Sequence, residues 1–65
     1  MSWSYNENDL GTTSTSSRLN AVRLLIGDTD TDDRQIENEE IVFALNQAGN
    51  NIYFAASWSA KSIAA

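Results

Sequence analysis

Asp28, Asp30, Asp32 and Glu39 have the residue types and the spacing of a calcium-binding loop. In a helix–loop–helix cation site, acidic side chains at loop positions 1, 3, 5 and 12 supply the oxygen ligands that a hard cation prefers. The four residues fall at those positions, with an apolar run before them and another after. Two departures weigh against the match. Position 6 of such a loop is a glycine that makes the sharp turn, and here it is Asp33. A second helix pair, with which such loops associate, is also missing. The competing reading is an acidic, solvated corner between two helices. Aspartate favours turns by bonding its own backbone, and Glu39 at a helix start is favoured by the helix dipole. The corner is the primary reading, and a small calcium module using Asp28, Asp30, Asp32 and Glu39 is the alternative.

No other arrangement of side chains points to catalysis or to a cofactor. The chain contains no Cys and no His, so thiolate and imidazole chemistry are excluded. The acid pairs Asp32/Asp33 and Glu39/Glu40 are sequence neighbours, which do not face each other on a helix. Glycosidase chemistry needs opposed carboxylates across a cleft. Serine and threonine hydroxyls are plentiful but have no base to activate them. The three glycines are isolated and form no phosphate-cradling loop. A non-enzymatic protein without a cofactor is expected.

What positions these residues is one small domain of 65 residues. At this size apolar burial barely offsets ordering entropy. With no disulfide to help, oligomerisation is the favoured source of added stability. The net charge of −5 argues against a direct grip on nucleic acid, because phosphate contacts need clustered cations. Arg18, Arg23, Arg34 and Lys61 are scattered. No apolar stretch is long enough to span a bilayer, and residues 1–11 lack the basic and apolar regions of a signal peptide. Synthesis in the cytoplasm, with no membrane partner, is the expectation.

The pattern predicts an all-α fold: a small three-helix domain with an extended N-terminal arm. Residues 1–15 read as a flexible arm and residues 16–65 as the helical domain. The arm is polar apart from Trp3, Tyr5 and Leu10. It either docks on another molecule or folds back over its own helices. The first helix is expected after Ser16 or Ser17, capped by a hydroxyl, with Leu19, Val22, Leu25 and Ile26 as its buried face and Gly27 as its left-handed stop. A second helix is expected over about 38–48. Asn38 is a competent cap; with Glu37 at the cap instead, Ile36 and Ile41 fall at the spacing of a hydrophobic staple. A third helix is expected over about 51–65, capped by Asn50 or Asn51, with Ile52, Ala55, Ala56, Ser59 and Ile63 on one narrow face. Phe54, Trp58 and Lys61 form a second row. The expected core is Leu19, Val22, Leu25, Ile26, Ile41, Leu45, Ile52, Ala55 and Ala56.

Arg23 has two readings. A solvated arginine near a helix C-terminus is favourable there; a salt bridge to Asp28, to Asp30 or to a neighbouring subunit's acid is the sharper alternative. Residues expected at subunit contacts are Trp3 and Tyr5 of the arm, Phe54 and Trp58 of the third helix, and Arg18, Arg23 and Arg34 as ion-pair partners. Aromatic residues are enriched at such contacts.

The segments NAVRLLIGDTD (20–30), IENEEIVFAL (36–45) and AGNNIYFAASWSAKSIAA (48–65) resemble the head–tail connector proteins of tailed bacteriophages, also called adaptor or head-completion proteins. The match covers residues 20–65 and is carried by the L-I-G-D-T-D element with the acidic helix start that follows. The resemblance implies a small α-helical virion protein at the head–tail interface, made in the host cytoplasm. It implies a homo-oligomeric ring of about twelve copies bound beneath the portal protein. That ring extends the DNA channel and docks the stopper or tail-completion protein. DNA passes through such a channel without specific binding, and acidic walls would let it slide.

Overall fold

The computed structural model describes residues 1–65 and consists of three helices and no strands: α1 Thr15–Ile26, α2 Asn38–Gln47 and α3 Ile52–Ala64. All three pack on one another, so the fold is the expected all-α three-helix domain.

Helix α1 begins two or three residues earlier than the hydroxyl pattern suggests. Ser14, not Ser16 or Ser17, is the cap, and its side chain accepts from the Ser17 backbone N–H at 3.1 Å. Ser16 and Ser17 instead turn their hydroxyls to Asp9. Gly27 ends the helix at φ 77°, a left-handed conformation that costs glycine little.

The buried face of α1 differs from the expected one. Ser17, Leu19, Asn20, Ala21, Val22 and Arg23 are buried and Ile26 is half-buried, while Leu25 is 47% exposed. Leu19, Val22, Arg23 and Ile26 are spaced i, i+3, i+4, i+7, the stripe of an amphipathic helix. Leu25 lies outside that stripe and is excluded from the core. Arg23 lies on it and is driven inward.

Glu37 occupies the cap position of α2 and makes no side-chain cap bond. Asn38 is therefore the first helical residue and not the cap. Ile36 and Ile41, which bracket the cap at the staple spacing, are both buried in the core. Helix α3 is capped by Asn51, whose side chain accepts from the N–H groups of Tyr53 and Phe54 at 3.0 and 3.1 Å.

The core is one cluster: Leu19, Val22, Ile36, Ile41, Ala44, Leu45, Ala55 and Ala56. Ile26 and Ile52, both expected inside, are half-buried against it. Three of the eight residues are alanines, which lets the helices approach closely but limits the apolar area removed from water.

Candidate functional site

Two features are built well beyond what a minimal three-helix fold requires: a buried polar cluster that holds the arm, and an aromatic groove open to solvent.

The polar cluster centres on Arg23, whose side chain is completely buried. Its guanidinium forms an ion pair with the equally buried carboxylate of Asp28. Three further hydrogen bonds hold it. Nη1 reaches the Ile36 carbonyl at 2.8 Å, Nη2 reaches Asn38 Oδ1 at 2.7 Å, and Nε reaches the Ser4 carbonyl at 2.8 Å. The Trp3 ring covers the guanidinium, with its centroid 4.6 Å away, a favourable cation–π geometry. Burial lowers the pKa of Arg23, and the charge of Asp28 opposes that shift. The solvated reading of Arg23 is therefore replaced by the ion pair with Asp28. The cause is its place on the inward stripe of α1, which forces its charge to find partners.

Asp28 is as fully committed. Oδ2 also accepts from the Trp3 indole N–H at 3.3 Å and the Ile36 N–H at 3.2 Å, and Oδ1 accepts from the Gln35 N–H at 3.0 Å. The backbone N–H of Asp28 donates to the Arg23 carbonyl at 3.0 Å. One aspartate thus closes α1, ties down residues 35 and 36, and seats the first tryptophan.

The arm folds back over its own helices rather than projecting as a free extension. The Asn38 N–H donates to the Ser2 carbonyl at 2.7 Å. The Ser2 N–H and hydroxyl both donate to Glu39, at 2.9 and 2.7 Å. Asn38 exchanges hydrogen bonds with Ser4. Further along, the Asn6 N–H donates to Asn20, and Asp9 accepts from Ser17 and Ser16 at 2.6 and 2.8 Å. These bonds hold Glu39 well down, to about 2, chiefly through the Ser2 hydroxyl. They hold Asp9 below its ordinary value through Ser17 and then Ser16.

This geometry separates the four carboxylates of the calcium-loop pattern. Asp28 is enclosed with Arg23, Glu39 is taken by Ser2, and Asp30 accepts from the Asp32 N–H in a local turn. No three acidic side chains converge in a metal-binding arrangement.

The aromatic groove lies between α2 and α3 and is lined by Ala44, Gln47, Ala48, Phe54 and Trp58. Beside it the Phe43 ring contacts that of Trp58, ring centroids 5.8 Å apart and planes tilted by 55°. Phe54 is 69% exposed and Trp58 42%. Compared with protein-family models, with curated proteins and with solved structures, the chain has no significant match.

The seven expected contact residues therefore divide. Phe54 and Trp58 border an open apolar surface. Trp3 and Tyr5 are half-buried in the docked arm. Arg23 has no exposed surface. Arg18 donates to the Thr12 carbonyl at 3.0 Å, and Arg34 donates to the Thr31 carbonyl at 3.0 Å while lying 5.5 Å from the Trp3 ring centroid. Asp28, Asn38 and Glu39 as arm-holding residues escaped the sequence reading, although an arginine at an inward stripe position was a legible signal that a buried acid must exist.

Proposed function

We propose that this chain is a structural virion protein, a head–tail adaptor that acts by oligomerisation and docking and performs no chemical step. In this reading, copies form a ring under the portal, extend the DNA channel and present a surface to the stopper or tail. The observation that carries it is the solvent-open groove bordered by Phe54 and Trp58, with the exposed Phe43 ring against Trp58, on a domain whose own core is thin. Exposed aromatic patches on small soluble domains mark contact surfaces. The likeness of residues 20–65 to phage connector proteins supplies the class of assembly.

The charge distribution is compatible with a channel role. Glu7, Asp30, Asp32, Asp33, Glu39 and Glu40 are exposed, while the cation Arg23 is sealed inside. Such a surface repels a duplex and favours sliding over binding. In the folded chain the acidic turn serves as a corner: Asp28 fixes it, and Asp30, Asp32 and Asp33 face solvent.

Assembly of the Trp58→Ala variant tests the reading. Impaired incorporation into tailed particles, with helical circular dichroism retained, is expected. Normal incorporation would remove Trp58 from the contact.

A further inference from the structure

We propose that the groove between α2 and α3 receives Leu24 and Leu25 of a second copy of this chain, in a head-to-tail contact that gives each copy one donating and one receiving face. The inference rests on the assembly reading above and specifies its contact. The receiving face is the groove bordered by Phe54 and Trp58, 69% and 42% exposed, with Phe43, 52% exposed, beside it against the Trp58 ring. Together they leave roughly 300 Å² of aromatic surface in water, taking 150–250 Å² per ring, a patch size that commonly carries function. The donating face is the outward side of the last turn of α1. The inward stripe there is filled by Val22, Arg23 and Ile26, so Leu24 and Leu25 stand out at 53% and 47% exposure.

Charge selects the pairing. Most self-contacts of a chain with net charge −5 are opposed by like charges. Arg23 is paired with Asp28, Arg18 and Arg34 are held by backbone carbonyls, and Arg34 also lies against Trp3. Lys61 is the one basic side chain without a hydrogen bond or ion pair. It is exposed and lies about one helical turn beyond Trp58 on α3. Leu24 and Leu25 are followed at once by the corner that carries the exposed acids Asp30, Asp32 and Asp33. Seating the leucines against Phe54 and Trp58 brings the free cation toward the most acidic segment, which fixes the orientation. Because the two faces differ, the contact is heterologous and closes into a ring when its rotation permits.

The test uses native mass and sedimentation of the full chain over a concentration series. Phe54→Glu places an acid in the first turn of α3, and Leu25→Lys places a cation in the last turn of α1. Both suit the helix dipole, and both sites are exposed, so each variant keeps its fold. Wild-type chain is expected to self-associate, and each variant alone to stay monomeric. The two mixed are expected to associate, since one intact donating face and one intact receiving face remain between them. Lys61→Glu is expected to weaken association about tenfold, and adding Asp30→Lys with Asp32→Lys to restore part of it. A wild type that stays monomeric to millimolar concentration overturns this contact, and so does a mixture that fails to pair. Phe54→Glu losing association while Leu25→Lys keeps it assigns the groove to another occupant and overturns the leucine assignment. None of these failures bears on whether the chain is incorporated into virions, which is measured independently.

Discussion

The guanidinium of Arg23 and the carboxylate of Asp28 form a fully buried ion pair across the C-terminus of α1. Desolvating two charges is costly, and the pair is tolerated because nearly every remaining donor and acceptor is used. Through that pair the arm, the end of α1 and the start of α2 become one structure.

Removing one partner leaves an uncompensated buried charge. Asp28→Asn is expected to destabilise the chain by about 3 kcal/mol, close to the whole stability of a domain this size. Chemical denaturation followed by circular dichroism checks it. Loss of the cooperative transition is expected; a midpoint within experimental error of wild type would show that the pair contributes little.

Acid should release the arm before it unfolds the helices. Glu39 and Asp9 are both held below their ordinary values in the folded chain. Their stabilising contribution is therefore complete above about pH 4.5 and is lost as the pH falls toward about 2, the value of Glu39. The Trp3 indole N–H resonance, followed by NMR in an acid titration, should shift over that window. A signal that stays constant to pH 2 would contradict the clasp.

Ser59 is completely buried and its hydroxyl has no partner. An unpaired buried hydroxyl is unfavourable, and alanine is the better helix former. Ser59→Ala should stabilise by about 1 kcal/mol, raising Tm by roughly 4–8 °C for a domain of this size. A lowered Tm in a thermal scan would mean that the hydroxyl is satisfied in solution.

Calcium should not find a site at the acidic corner. Asp28 is enclosed and Glu39 is bonded to Ser2, so ligation would require breaking both. Calorimetric titration to millimolar calcium is expected to give no heat and no gain in helix. Saturable heat would restore the cation reading.

Much of this was legible in the chain. Gly27 and Asn51 mark helix ends because left-handed φ and side-chain capping demand those residue types. The staple spacing of Ile36 and Ile41 was visible, and so was the narrow face of Ala55, Ala56 and Ser59. Arg23 was misplaced because apolar periodicity is read by scoring a charged residue as outward. The stripe of Leu19, Val22 and Ile26 nonetheless passes through it, and leaving it out drew Leu25 wrongly into the core. The arm was the least legible segment. Its attachment depends on serine and asparagine hydrogen bonds between residues 2–9 and residues 16–39, which leave no periodic trace. The groove was half legible: Phe54 and Trp58 stood one turn apart, while the exposure of Phe43 depended on how α2 meets α3.

The central claim is that this chain is a structural component of a tailed particle. Quantitative mass spectrometry of purified particles that encode it, combined with electron cryo-microscopy of the head–tail vertex, tests that claim most directly. The account predicts about twelve copies in a ring beneath the portal. Mature, infectious particles that contain none of the chain would contradict it.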